Sequence, residues 1–252
     1  MKNERGSIAV LAFVTVMFIL IILATLFYSM VEKSKAQVVE MEKLSNTYDG
    51  DMGEIYKERQ NINGIFVTLY ADGSLVFSNT NKTLEGKGTF TQYGDIRDIE
   101  MNTTAQIPWY SQKENITSVT FTNTISPITT AMWFSGCSNL ATITNINYLD
   151  TSKVTSMASM FEGCSSLTTL DLSTFNTNNV TSMQSLFNDC TNLTTIYAGS
   201  NWTTDKVTAS ESLFSNCTSL VGGNGTAYST DNIGINYAKV DASGTPGYFT
   251  AK

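Results

Sequence analysis

Cysteine is the most reactive residue type in this chain, and its four copies recur at a nearly constant interval. The intervals are 27, 26 and 27 residues, and each cysteine follows a phenylalanine by three positions. The pairs are Phe134 and Cys137, Phe161 and Cys164, Phe187 and Cys190, and Phe214 and Cys217. An interval in the twenties that is kept over several copies is typical of a repeat architecture with one structural unit per repeat.

Thiols at this spacing have three candidate roles: disulfide bonds, a thiolate metal site, or packing in a core. If each repeat places its cysteine at the same point, neighbouring sulfur atoms stack at about the 5 Å spacing of adjacent strands. A thiol packs as a small hydrophobic group, and the paired Cys-x-x-Cys spacing typical of metal sites is missing. We therefore expect the four cysteines and their phenylalanines to form a structural ladder in the core. Disulfide bonds are the alternative, and no metal site is expected.

The rest of the composition excludes several kinds of chemistry. The chain has no histidine and a formal net charge of −7. It therefore lacks an imidazole base and the usual zinc ligands, and it lacks the basic surface of a nucleic-acid-binding protein. Asp72, Asp95 and Asp98 suit turns and surface positions better than a cation site or an acid pair. We predict no enzyme activity, no catalytic residue, no cofactor and no nucleic-acid partner.

Each copy of the repeat combines a pattern of helical period with one of strand period. Leu170 and Leu172 alternate with polar residues, as in a half-buried strand. Helical steps precede them, and the apolar residues at those steps are Val154, Met157, Met160, Phe161 and Cys164. One such unit cannot bury its apolar face alone, whereas four stacked units can. The sequence therefore predicts an α/β fold, a short solenoid of about four coils, each with a short helix and a short strand.

The strand residues that alternate with the buried leucines are expected to face outward, one set per coil. Solenoids usually bind their ligands on such a surface, although threonine also suits any exposed β surface. We treat this exposed strip as the candidate ligand-binding site. Its members are Thr142, Thr144, Thr169, Asp171, Thr195 and Tyr197.

The segments on either side of the repeats are expected to close the two ends of the stack. Two strand-like runs, 65–70 and 74–77, flank Ala71-Asp72-Gly73, which is a strong hairpin signal. Terminal units of a repeat array must cover its apolar ends. The predicted divisions are a small β segment at 62–115 that caps the solenoid, the solenoid at 116–232 and a C-terminal cap at 233–252.

The first 61 residues have a different character. Residues 7–31 carry no charge and are mostly aliphatic, and as a helix they span a hydrocarbon core of about 30 Å. The run is longer than the apolar part of a signal peptide, about 7–15 residues. We therefore expect a transmembrane anchor helix within residues 1–31, followed by a helical stalk at 32–61.

One repeated pattern reads Val-Thr-Ser-Met-x-x-Met/Leu-Phe-x-x-Cys-x-x-Leu-Thr-Thr-Leu/Ile, as in residues 154–170. It resembles the repeat of the BspA-like leucine-rich repeat surface proteins of bacteria. The hairpin at 69–77, the Ile-Pro-Trp step at 107–109 and the closing tail around 246–250 are similar as well, so the resemblance covers about residues 64–252. It implies a leucine-rich-repeat solenoid that serves adhesion and has no known chemistry.

The expected function is therefore that of a membrane-anchored binding or adhesion protein, displayed outside a bacterial cell. Its expected partner is a protein or glycan on a host or neighbouring cell surface. The expected localisation is the bacterial cell membrane, with a single pass through residues 7–31 and an extracellular C-terminal domain.

A structural role is the alternative. Arg5-Gly6-Ser7 before a long apolar helix resembles the processing site of a type IV pilin, in which cleavage follows the glycine. Such pilins carry glutamate five residues after the cut, where this chain has Leu11. This resemblance implies a pilin-like subunit that forms homo-oligomers through its N-terminal helices and exposes the repeats as a head.

Overall fold

The computed structural model describes residues 64–81, 83–84, 87–96, 99, 101 and 103–252. All of these residues belong to one compact unit, Gln60–Lys252. The unit consists mainly of short strands and turns, and the only helices among the described residues are 3-10 helices of three to six residues. They are Thr104–Gln106, Tyr110–Asn115, Ile146–Tyr148 and Ile235–Tyr237.

A five-stranded sheet forms the N-terminal half of this unit. Its strands are β1 (Phe66–Tyr70), β2 (Ser74–Ser78), β3 (Phe90–Asp95), β4 (Ser118–Phe121) and β5 (Thr142–Thr144), in the order β3-β1-β2-β4-β5. β1 is antiparallel to β2 and β3, whereas β4 is parallel to β2 and β5 is parallel to β4. The hairpin and the first copy of the repeat therefore share one sheet.

A three-stranded sheet forms the other half, and it contains a strand from outside the repeats. Its strands are β6 (Thr169–Leu172), β7 (Thr195–Ala198) and β8 (Phe249–Ala251), all parallel, in the order β6-β7-β8. β8 occupies the position beside β7 where a strand of the fourth copy is missing. Gly222 and Gly223 permit this, because a Cβ on Gly223 would lie 3.1 Å from Cα of Thr250 and one on Gly222 would overlap the carbonyl oxygen of Gly247.

The segments predicted as helices are turns instead. Each copy has two residues with positive φ four positions apart, a conformation that ends an α-helix. The pairs are Met132 and Gly136, Ser159 and Gly163, Ser185 and Asp189, and Ser212 and Asn216. The backbone N–H groups therefore point to the next copy and not along a helix axis. Phe161 donates to the carbonyl of Leu186 at 3.0 Å, and Gly163 donates to that of Asn188 at 2.7 Å.

The predicted α/β leucine-rich-repeat solenoid is therefore wrong. The described residues contain no α-helix, and their strands form two separate sheets rather than a continuous stack of helix-plus-strand coils. β5 ends at Thr144, and the next residue, Asn145, has a φ of 57° and leads into the 3-10 helix Ile146–Tyr148.

The membrane prediction requires the same correction. In the part of the chain that the structure describes, no helix is long and apolar enough to cross a bilayer, so the transmembrane helix and the single-pass localisation are wrong for these residues. The expected anchor at 7–31 and stalk at 32–61, together with the pilin-like Gly6-Ser7 site, lie outside the described residues.

The cysteines and phenylalanines lie in the core, and all four cysteines are buried with free thiols. Phe161 and Phe187 stack with their ring planes 3° apart at 6.0 Å, and Phe187 and Phe214 stack at 5.5 Å. Three thiols also donate hydrogen bonds to the phenylalanine carbonyl of the preceding copy. The pairs are Cys164 with Phe134 at 3.2 Å, Cys190 with Phe161 at 3.0 Å and Cys217 with Phe187 at 2.9 Å. The sulfur atoms therefore connect consecutive copies as well as filling space.

A buried carboxylate fixes the C-terminal closure. Asp241 accepts hydrogen bonds from the N–H groups of Asn224 and Thr226, both at 2.9 Å, and from the hydroxyl of Thr226 at 2.7 Å. Gly247 also donates to it, at 3.3 Å. Burial by itself raises the pKa of Asp241, but these donors, the Thr226 hydroxyl first, outweigh it and hold the pKa below its usual value. The carboxylate thus ties the end of the repeats to the segment that leads into β8.

We predict that Cys190→Asp lowers the free energy of unfolding by about 3–5 kcal/mol, because it places an unpaired charge in the core. Cys190→Ala should lose less, since it removes only a small side chain and one weak donor. Thr168→Asp, at an exposed position of the same repeat region, is the control and should change stability little. Urea denaturation measures all three, and a Cys190→Asp variant that is as stable as the control would contradict the buried ladder.

A second prediction concerns pH. Because the folded-state pKa of Asp241 is depressed, its contribution is complete above the unfolded pKa of about 3.9 and is lost as the pH falls through the folded value. Asp241→Asn should lower the unfolding free energy at neutral pH by about 2 kcal/mol and flatten the acid decline of Tm. Thermal denaturation over a pH series measures both effects. Exposed Asp231→Asn should leave the curve unchanged, and an acid decline of normal steepness in the Asp241→Asn variant would refute this role.

Candidate functional site

The structure brings four of the six strip residues together. Thr169 of β6 lies opposite Thr195 of β7, and Asp171 lies opposite Tyr197. Their neighbours Leu170 and Ile196 are buried, so alternation along the two strands turns the polar residues outward. Thr142 and Thr144, by contrast, lie on β5 in the other sheet and pair with β4. They are exposed, and β5 is not paired with β6.

The end of β8 places a lysine on this surface. Nζ of Lys252 lies 2.5 Å from Oδ2 of Asp171 and 5.1 Å from the ring centroid of Tyr197. The second carboxylate oxygen of Asp171 accepts a hydrogen bond from the N–H of Ser173 at 3.0 Å. A main-chain hydrogen bond positions the lysine there, since the N–H of Lys252 donates to the carbonyl of Ala198 at 3.1 Å.

This contact shifts the pKa values of both charged groups. Partial burial raises the pKa of Asp171, but hydrogen bonds from Lys252 and Ser173 outweigh it and hold the pKa below its usual value. The carboxylate in turn raises the pKa of the Lys252 ammonium. A carboxylate beside the face of an aromatic ring is a general way to hold a cation. The chemistry of the strip therefore suits an ammonium or guanidinium group.

The sequence indicated which residues form the strip, but it did not indicate that a lysine contacts them. Asp171 and Tyr197 could be placed opposite each other from the repeat interval. The arrival of Lys252 depends on β8 joining β7, which no local pattern in residues 249–252 predicts.

The thiols cannot serve as nucleophiles in this arrangement. Burial raises the pKa of Cys137 and of Cys217 to about 12, and burial raises that of Cys164 and of Cys190 well above the usual value. The groups are therefore protonated at neutral pH, whereas nucleophilic and metal-binding cysteines are thiolates. Within the described ranges, no three thiol or carboxylate side chains are grouped so that they could hold a metal ion.

The acidic residues near the hairpin have separate structural roles. Asp72 accepts hydrogen bonds from the N–H and hydroxyl of Ser74 and from Nζ of Lys87. Asp95 accepts one from the N–H of Ile65. The two lie near opposite ends of β1, and Asp98 lies outside the described residues.

A cleft that the sequence analysis missed lies at the turn of the hairpin. It has a volume of about 720 Å³ and is bounded by the turn Ala71–Gly73, the first residues of β3 and the 3-10 helix Tyr110–Asn115. Phe90 lines it and is 48% exposed. No single stretch of the sequence predicts this cleft, because it exists only when three distant segments meet.

Comparison with known proteins places the repeats in a family. A family model described as "Mycoplasma protein of unknown function, DUF285" matches residues 111–238, a range that contains all four Phe–Cys pairs. No curated protein and no solved structure is significantly similar to the chain.

Proposed function

The chain belongs to the DUF285 family, and from that premise we propose that it is a non-catalytic adhesion protein of the BspA-like kind, which binds basic side chains of a partner protein. The expected partner belongs to a host or neighbouring cell. The binding surface is formed by Thr169, Asp171, Thr195 and Tyr197, which are named below as the β6–β7 strip.

The observation that carries this proposal is the contact of Lys252 with the strip. Asp171 and Tyr197 already hold one ammonium group, by an ion pair and a cation–π contact. The geometry needed to bind a lysine or arginine of another protein is therefore present. The net charge of −7 also favours encounter with basic partners.

Lys252 need not block such a partner permanently. Its side chain is about half exposed, and ion pairs between exposed side chains contribute little to stability. A partner that adds further contacts along Thr169 and Thr195 can therefore displace it. In the free protein, Lys252 keeps the carboxylate paired and limits non-specific association.

A non-catalytic role agrees with the state of the reactive groups. The thiols are held protonated by burial, and the strip carboxylate already accepts two hydrogen bonds. The alternative role as a pilin-like filament subunit depends on residues 1–61, and no contact among the described residues favours it.

We predict that Lys252→Ala increases binding to lysine-containing peptides, because it frees the Asp171–Tyr197 pair. The probe is a peptide array in which each basic peptide is printed beside its lysine-to-alanine counterpart, incubated with the full chain. Adding Asp171→Ala and Tyr197→Ala to the Lys252→Ala variant should reduce the signal at least about tenfold, which corresponds to about 1.4 kcal/mol.

Lys113→Ala is the matched control, since Lys113 lies over the ring of Tyr110 at 4.1 Å in a similar pair elsewhere on the surface. This variant should bind as the unmodified chain does. If the triple variant retains the same peptides with the same intensity, the β6–β7 strip is not the binding surface.

A further inference from the structure

The cleft at the hairpin turn, defined above by Ala71–Gly73, the start of β3 and Tyr110–Asn115, has the size of a small-molecule site. Its volume of about 720 Å³ falls within the usual range of about 300–1,000 Å³. It does not overlap the β6–β7 strip, since none of the strip residues lines it. A ligand of the cleft would therefore be recognised independently of the strip.

An exposed aromatic side chain lines one side of the cleft. Phe90 is 48% exposed, on β3 at the edge of its sheet, and Tyr93 of the same strand also lines the cleft. The ring of Phe90 is held in place by Tyr70, whose centroid is 5.8 Å away. The negative face of an aromatic ring attracts positively polarised C–H groups, so Phe90 offers a platform for a ligand with one apolar face.

Amide and carboxylate groups of the 3-10 helix also line the cleft. Nδ2 of Asn115 donates to Oε1 of Gln112 at 2.7 Å, which orients both amides. Each amide retains hydrogen-bonding capacity, donors on Gln112 and an acceptor on Asn115. Glu114 adds acceptors at the rim. A ligand that matches this set must both donate and accept hydrogen bonds at several points, as adjacent hydroxyl groups do.

The charged residues that line or adjoin the cleft make it less suited to ionic ligands. Asp72 is paired with Lys87 at 2.8 Å, and the Lys87 ammonium lies 6.0 Å from the ring of Tyr70. The position that a cationic ligand would take between carboxylate and ring is therefore already filled. An anionic ligand would meet the carboxylates of Asp72 and Glu114. The charges therefore favour a neutral ligand, and the amide and carboxylate groups of the 3-10 helix suit one with adjacent hydroxyl groups.

Two of the segments that bound the cleft pack directly against each other. Gly73 has a φ of 83°, and a Cβ there would lie 2.5 Å from the carbonyl oxygen of Asn115, so the turn packs directly against the end of the 3-10 helix. The N–H of Thr117 donates to the carbonyl of Gly73 at 2.9 Å. Because these two segments are already joined, their part of the cleft needs little ordering when a ligand binds.

We propose that the hairpin cleft binds a neutral saccharide, with the C–H face of one sugar ring on Phe90 and its hydroxyl groups on Gln112, Asn115 and Glu114. This site goes beyond the proposed protein-binding strip and gives the same chain a second class of ligand. A protein that adheres to a cell surface then recognises a basic protein segment with one surface and a glycan with another.

The test uses the full chain and saturation-transfer NMR with four neutral disaccharides: cellobiose, maltose, lactose and N,N′-diacetylchitobiose. At least one of them should bind. Phe90→Ala should weaken its binding about tenfold through loss of the stacking surface, and Phe90→Trp should preserve it. Gln112→Ala should also weaken it. Tyr148→Ala, at an aromatic residue that is 38% exposed and outside the cleft, should have no effect.

Several results would overturn the saccharide site. One is the absence of transfer to all four disaccharides at millimolar concentration, and another is binding that Phe90→Ala leaves unchanged. Choline chloride serves as the cationic probe, and binding of choline in place of the disaccharides would show an aromatic cage instead. The Asp171→Ala and Tyr197→Ala variant should bind the disaccharide normally, so failure of the strip and failure of the cleft are separate outcomes. Circular dichroism confirms that each variant is folded.

Discussion

Hydrogen bonds between the backbones of consecutive copies hold the repeats together, and the rest of the structure depends on them. Alternate N–H groups in the turn segments, such as those of Phe161 and Gly163, point to carbonyl groups of the next copy. Residues of positive φ make this direction accessible, at the cost of any α-helix. The buried thiols add a second connection in the reverse direction, as Cys190 does to Phe161. The repeat motif is therefore a set of connections between copies, with sulfur as both filler and donor.

Copies that are joined in this way leave the last one without a neighbour on one side, and the C-terminal segment covers that side. β8 supplies the strand that the fourth copy lacks. Tyr248 and Phe249 cover the ring of Phe214 at 5.1 and 6.0 Å. Asp241 fixes the intervening loop through four donors. The closure also carries Lys252 to Asp171, so the element that completes the core is the one that governs access to the β6–β7 strip.

The two candidate binding surfaces share one arrangement of charges. In each, a surface carboxylate is paired with a lysine of the same chain beside a tyrosine ring: Asp171 with Lys252, and Asp72 with Lys87. The consequences differ because the surroundings differ. Lys252 follows the short edge strand β8 and is half exposed, and under the proposed function a partner displaces it. Lys87 beside the cleft is also hydrogen-bonded to Ser74, so in the proposed saccharide site it stays in place.

The sequence by itself determined the interval of the repeat and which of its side chains are buried, because burial follows side-chain type: Val154, Met157 and Met160 are all inaccessible to solvent. It did not determine the conformation that buries them. The same steps of three and four residues suit a helix or a pair of left-handed turns, and only the hydrogen bonds to the neighbouring copy decide between them. The outward direction of Asp171 and Tyr197 followed from strand alternation. The lysine on that pair and the hairpin cleft were decided by tertiary structure alone, because each requires segments that are far apart in the chain to meet.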